Sequence, residues 1–356
     1  DDMEAVLSEM ESGRKRVTLR DVAQEAGVSL KTASNVINDA GRMSNETRAR
    51  VQEVIRRLGY RVNVSARNLN RNSTGVITLA VPMLTPPYLA ELANRVIEQA
   101  RTDGYLVYVV TYGGGNARGA RELLRDFNTT VSDGLILSMS EDENLTARDL
   151  SVDYPLVTVG ARDVRGVCDH VSCDDVQASR TAASYLFERG ARRLAVVGSR
   201  GTYDEQAALR ATDGNAGLRL RGVIEACHEH GAQLDPELVV DGGDWAIGCG
   251  YKAVQQLLDA GREFDGVVAF NDQLAIGVLS ALAANGISVP GQVQVIGFDD
   301  IEEAAYLQPP LTTMDPRFDV IVPTVGERML MRIAGRGVAP ERISIPSRVI
   351  ARATTR

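Results

Sequence analysis

Two rhythms of apolar and polar positions divide this chain of 356 residues. From residue 76 onward, short apolar runs (76–81, 106–110, 135–137) alternate with amphipathic stretches (88–101, 117–127). The same rhythm returns with runs at 194–197, 267–270 and 293–297 and longer stretches at 218–230 and 250–260. Runs this short have the length of buried strands, and the longer stretches carry a helical period. Strand–helix alternation predicts an α/β body of parallel sheets covered by helices on both faces. Asp133-Gly134-Leu135-Ile136-Leu137 and Asp265-Gly266-Val267-Val268-Ala269 read as equivalent strands of two similar halves, an echo and not a tandem repeat. Two doubly wound lobes place a ligand cleft between them, at the carboxyl ends of the strands.

The first seventy residues follow another pattern. Thr18 followed by Asp21 is a capping box that opens a helix over 19–26, and Gly27 breaks it. Ser29 caps a second helix from 30 to about 38. Ser44 caps a third over 46–58, which stops at Gly59. Ala33, Val36, Val51 and Ile55 have the spacing of core residues. Two short helices joined by a tight glycine-containing turn predict a helix-turn-helix, whose second helix enters the major groove.

Charge sharpens this reading. Residues 14–71 hold 13 Lys/Arg against 5 Asp/Glu, a net of +8, whereas 72–356 hold 26 against 37, a net of −11. One basic end on an acidic protein predicts a nucleic-acid-binding head attached to a body with a separate task. Leu30 and Lys31 stand at the entering end of the recognition helix, with Asn35 one turn on. Lys31 can donate to guanine, Asn35 can bridge adenine, and Leu30 can meet a thymine methyl. Ser29, Thr32 and Ser34 offer hydroxyls to phosphates, and Arg42 can reach a phosphate or a base. Thr18, Ser44, Thr47 and Arg48 complete the expected DNA contacts, Arg48 as a phosphate ligand.

Other chemistry finds little support. The length allows two or three domains, and 44% hydrophobic with 24% charged residues is ordinary for a globular protein. No apolar run approaches a membrane span, and the acidic start lacks signal-peptide character. Four cysteines (Cys168, Cys173, Cys227, Cys249) lack disulfide-scaffold density, so a reducing, cytoplasmic setting is expected. Cys168, His170 and Cys173 invite a metal reading, but half of a closed ligand set is missing and no metal is expected. His228 and His230 read as surface histidines. The run Gly113-Gly114-Gly115 lacks the Lys-Ser/Thr of a phosphate loop, and no nucleophile elbow or kinase signature occurs. No catalytic residue and no cofactor are expected, and the chain does not read as an enzyme.

The runs VTLRDVAQEAGVSLKTASNVIN, MSNETRARVQEVIRRLGY and NVSARNL make the chain resemble the lac-repressor/galactose-repressor family of bacterial transcription regulators, from about residue 17 to 352. The resemblance implies a flexible extension over 1–16, a helix-turn-helix domain over 17–61, a hinge helix and linker over 62–74, and a two-lobed, periplasmic-binding-protein-like body over 75–356. The first lobe would take about 75–172 and 316–344, the second about 173–315 and 345–356. Family members commonly carry Arg where this chain has Asn35, which implies a different base preference. Asn63 would cap a hinge helix that pairs across a dimer, with Leu69 as a minor-groove wedge and Ala66 packed beside it. Val62 replaces the usual proline and loosens that helix start.

In the body, Tyr88, Arg219 and Trp245 match the family's ligand-contact positions. Asn271 and Asp299 lie where strands end, and Ser138 and Phe318 complete the set. Polar groups with an aromatic plate suit a sugar. Asn271 and Asp299 would otherwise serve as helix caps, and Trp245 as plain packing. The connection over 200–217 is longer than the family's, so Asn215 is not carried over. The expected protein is a dimeric repressor of a carbohydrate-utilisation operon, released from palindromic operator DNA by a small sugar effector. A corepressor-dependent regulator binding a purine or other metabolite is one alternative, and a solute-binding protein without regulatory role another. The basic head and the lack of an export signal weigh against the last. The chain ends soon after a strand at 349–351 with no trailing heptad helix, so a homodimer is expected and not a tetramer.

Overall fold

The computed structural model describes residues 17–37, 41, 43–60, 73–113, 119–139, 144–162, 164 and 166–356. The chain divides into two compact units, Asp1–Thr74 and Gly75–Arg356. Arg42, Asn63, Ala66 and Leu69 lie outside the described residues.

In the first unit three helices, α1 (Leu19–Glu25), α2 (Leu30–Ile37) and α3 (Asn45–Leu58), form from local signals. The Thr18 hydroxyl accepts from Asp21 N while the Asp21 carboxylate accepts from Thr18 N at 2.8 Å, so each satisfies the other's free amide. Gly27 and Gly59 end α1 and α3 with φ of +63° and +61°, a region that favours glycine. The helices close over Val22, Ala26, Val36, Val51 and Val54. Arg50 Nε donates to Ala26 O at 3.1 Å and ties α3 to the end of α1. The first helix stops one residue short of its expected end because Ala26 serves as the cap, and the third starts one residue early at Asn45.

The second unit opens with β1 (Val76–Val81), α4 (Pro87–Thr102), β2 (Leu106–Thr111), α5 (Gly119–Asp126), β3 (Gly134–Ser138), α6 (Ala147–Leu150), β4 (Leu156–Val159) and β5 (Asp169–Cys173). The chain then runs through α7 (Asp175–Glu188), β6 (Leu194–Ser199), α8 (Glu205–Leu209), α9 (Asn215–Glu229), β7 (Val239–Asp241), α10 (Ile247–Asp259), β8 (Gly266–Ala269), α11 (Asp272–Ala284), β9 (Gln294–Phe298) and β10 (Thr312–Asp315). It returns with α12 (Phe318–Ile333) and β11 (Arg342–Ile345), and closes with β12 (Arg348–Ile350). One sheet has the order β11-β5-β4-β3-β1-β2 and the other β12-β10-β9-β8-β6-β7. Every pairing is parallel except β10 with β12, which is antiparallel. The last strand therefore begins one residue before its expected position.

Alternation along the buried strands sends side chains to both faces. Ile77, Leu79, Val81 and Ile136 pack with Val96 of α4 and with Ile321, Val325 and Met329 of α12. Ala80, Leu135 and Leu137 pack with Leu124 of α5 on the other face. In the second lobe, glycines allow helices to touch. A Cβ on Gly277 of α11 would lie 2.0 Å from Ile247 O at the start of α10. The segment with Cys168, His170 and Cys173 is a strand and its approach: His170 is fully buried, with Nδ1 2.8 Å from Thr158 Oγ1. Among the described residues no group of three or more His, Cys, Asp or Glu could hold a metal ion, and no helix is long and apolar enough to cross a membrane.

Candidate functional site

On the head, Leu30 is 48% exposed although apolar, and Lys31 beside it is exposed, while Ala33 and Val36 of the same helix are buried. An exposed leucine next to a lysine on one helix face is the side that α2 offers outward. Ser29 and Thr32 are occupied in part by capping. Thr32 N donates to Ser29 Oγ at 3.0 Å, and the two hydroxyls lie 2.8 Å apart. Ser44 and Thr47 repeat the arrangement at 3.2 and 2.9 Å, and Thr18 closes its own box. These hydroxyls thus build the helix starts as well as lying on the expected contact surface. Ser34, Asn35 and Arg48 are half-buried. The Asn35 amide leans over Gly41, where a Cβ would meet Nδ2 at 2.8 Å.

In the body, both sheets reverse their winding between neighbouring strands, β1 against β3 and β6 against β8. Chain connections diverge there and leave a crevice beyond the strands' carboxyl ends. A cavity of about 250 Å³ occupies it, with Ser138 and Met139 at the end of β3 on one wall and Asn271 and Asp299 after β8 and β9 on the other. Of the seven side chains expected at the ligand, Tyr88, Ser138, Arg219, Trp245, Asn271 and Asp299 all line this cavity. Phe318 does not. It stacks behind Tyr88, ring centroids 4.9 Å apart, and lines an adjoining recess of about 590 Å³ that also touches Tyr88 and Asp299.

Several of these residues are held by specific contacts. Trp245 donates through Nε1 to Gly198 O at 3.0 Å and sits edge-on to Phe270. Gly242 admits this approach, since a Cβ there would lie 2.9 Å from the Trp245 ring. Asn271 caps α11 by accepting from Leu274 N at 2.8 Å and donates to Trp245 O at 3.0 Å. Its capping role is therefore real, and both ends of the amide are engaged. Ser138 is buried, and its carbonyl accepts from Tyr112 Oη at 2.6 Å.

Arg219 does not stand free to clamp a ligand with its whole fork. Its Nε donates to Asp175 Oδ1 at 2.6 Å and its NH1 to Phe270 O, and the guanidinium lies 4.5 Å from the Phe298 ring centroid. Burial pushes Asp299 up to about 7, against the pull of Arg219 and with the repulsion of Asp175. Burial also pushes Tyr88 and Cys173 well above their ordinary ranges. Asp272, fully buried, accepts from Thr313 Oγ1 at 2.6 Å and from Ile301 N at 3.0 Å, which anchors the turn that carries Asp299. Among the described residues, the non-glycine positions with positive φ are Trp245, Asp299, Asp300 and Arg317. Three of them line the two cavities, the usual address of stored backbone strain.

Sequence reasoning missed Asp175, which pairs with Arg219 and accepts from Asn215 Nδ2 at 3.2 Å. Its signal was the Asp174 cap before the amphipathic run of α7. Asn215, set aside because of the long connection, opens α9 and lines the cavity; the connection before it holds α8.

Residues 18–63 match the family described as bacterial regulatory proteins, lacI family, and residues 183–355 match a periplasmic binding protein-like domain. The transcriptional regulator AscG of Escherichia coli (strain K12) is 31% identical over 336 residues, 92% of this chain and 95% of that protein. A LacI-type transcription regulator from Bifidobacterium animalis subsp. lactis DSM 10140 superposes with a TM-score of 0.74 at 31% identity, covering 78% of this chain and 99% of the other. A complex of the transcriptional regulator CelR with cellobiose superposes with a TM-score of 0.69 at 27% identity, over 95% of this chain and all of that one.

Proposed function

The chain belongs to the lacI family of bacterial regulatory proteins, and from that premise we propose a dimeric repressor of a carbohydrate-utilisation operon, released from palindromic operator DNA by a small sugar. At the coarser level it is a DNA-binding transcriptional regulator with a ligand-binding body, and its relatives are transcriptional regulators. One observation carries the finer reading. Six side chains expected at the ligand from sequence, drawn from both lobes, line a single cavity at the strand ends. Trp245 and Tyr88 offer aromatic plates, Asp299 and Arg219 offer an acceptor and a donor, and CelR holds a sugar on the same fold.

On this reading Leu30, Lys31 and Asn35 read base edges, Arg48 holds a phosphate, and Arg42 reaches a phosphate or a base. Two heads related by a two-fold axis read the two halves of a near-palindrome. By the family resemblance, Asn63, Ala66 and Leu69, outside the described residues, would belong to a hinge helix whose leucine enters the minor groove. A sugar that touches both walls binds the closed body better than the open one, and that difference in affinity is what shifts DNA binding.

Mobility-shift titration of palindromic DNA tests the proposal, combined with light scattering on the full chain. The expected result is a dimer whose complex weakens steeply with salt and dissociates on adding an effector found by thermal shift. Asp299→Ala should abolish that dissociation. Effector-driven release that survives Asp299→Ala would put the ligand elsewhere, and absence of any DNA binding at low salt would end the regulator reading of this head.

A further inference from the structure

We infer that the cavity between the lobes takes an uncharged polyol and rejects the same molecule once it carries a phosphate or carboxylate, Asp175 and Asp299 setting that choice. This rests on the cavity being the effector site. An arginine that recognises an oxyanion presents two parallel N–H groups to it. Arg219, the one buried cation among the described cavity-lining residues, is otherwise engaged: Nε on Asp175 Oδ1 at 2.6 Å and NH1 on the Phe270 carbonyl. Phe298 lies 4.5 Å from its guanidinium carbon and Trp245 lies 5.5 Å away. Its charge is already answered by a carboxylate that is only 3% exposed.

Asp299 faces the same space with the opposite need. Among the described residues no hydrogen bond reaches its carboxylate. A pair of sugar hydroxyls can supply the missing donors; an ionised phosphate has only acceptors to offer. Above pH 7, where Asp299 is ionised, Asp175 and Asp299 set two carboxylates against the one guanidinium of Arg219, so a ligand anion would enter a space that is net negative. Burial pushing Asp299 up to about 7 is the same resistance to negative charge, felt by the protein's own carboxyl. Arg200 and Asp244 also line the cavity, but both are exposed, and their charges are screened by solvent.

The test is thermal shift and calorimetry on the full chain with matched pairs: glucose and glucose 6-phosphate, ribose and ribose 5-phosphate, adenosine and adenosine monophosphate, glucose and gluconate. In every pair with a binder, the uncharged member should bind at least 100-fold more tightly. Asp299→Asn, which keeps the shape and removes the charge, should narrow that ratio at least tenfold; where it abolishes all binding, the wild-type ratio decides. A phosphorylated member that binds as tightly as its neutral partner overturns the inference and leaves a sugar-responsive regulator standing. If no uncharged member of any pair binds, the inference and the sugar reading fall together, while operator retention in the same preparation keeps the DNA-binding assignment apart from both.

Discussion

Replacing Asp299 by Asn exchanges a half-buried carboxylate on the cavity wall for a neutral group of the same shape, and its effect on stability changes with pH. Burial moves the Asp299 carboxyl from its ordinary 3.8 up to about 7; Arg219 pulls against this and Asp175 adds to it. Between pH 4 and 7 the folded chain therefore keeps a proton that the unfolded chain has lost. Stability falls as pH rises through that window and levels off above 7. A displacement of about three pKa units, at ~1.4 kcal/mol each, amounts to roughly 4 kcal/mol at pH 8. At pH 5 the unfolded carboxyl is only about one unit past its own midpoint, and the cost is about 2 kcal/mol. Asn carries neither cost, and it tolerates the positive φ at this position better than most residues. At about 2–4 °C per kcal/mol for a domain of this size, the variant should melt on the order of 10 °C above wild type at pH 8 and about half that at pH 5. Differential scanning calorimetry in the two buffers measures both gaps. A gap that does not grow between pH 5 and 8, or a variant less stable than wild type at pH 8, would mean that attraction to Arg219 outweighs burial. The placement of charge in this cavity would then be misread.

Asp175→Ala should cost about 3–5 kcal/mol because it strands the buried Arg219 guanidinium. The double change with Arg219→Met should recover at least half, and denaturant midpoints showing no recovery would deny the pairing. Gly277→Ala should cost about 3 kcal/mol by driving a methyl into the Ile247 carbonyl, and a change below about 0.5 kcal/mol would rule out the close approach of α10 and α11. Lys31→Ala and Asn35→Ala should each shift operator preference, at about 1–3 kcal/mol for the base they read, while Arg48→Ala weakens all sequences alike. Selection from randomised DNA that returns unchanged preferences for both the Lys31 and Asn35 variants would displace the recognition helix from α2.

What is local was legible in the sequence. The Thr18 box, the Ser44 cap and the left-handed Gly59 specify helix starts and stops within four residues, so α1 and α3 could be placed to within a residue. Apolar runs such as 76–81 announce buried strands, because a strand buried on both faces needs an unbroken run. Of the seven side chains that strand ends and family positions marked in advance, six line one cavity. What the sequence by itself did not determine is how those residues are used. Asp175 meets Arg219 across 44 positions, and Asp272 meets Thr313 across 41. Neither pairing leaves a periodic trace, since a long-range contact is set by which strands lie side by side. The reversal of strand order beside β1 and β6 opens the crevice, and the crossing of α12 and β11 back to the first sheet ties the lobes together. Only that arrangement turns Arg219 from a free clamp into a neutralised one, because burial makes a charge seek its partner wherever the chain has brought one.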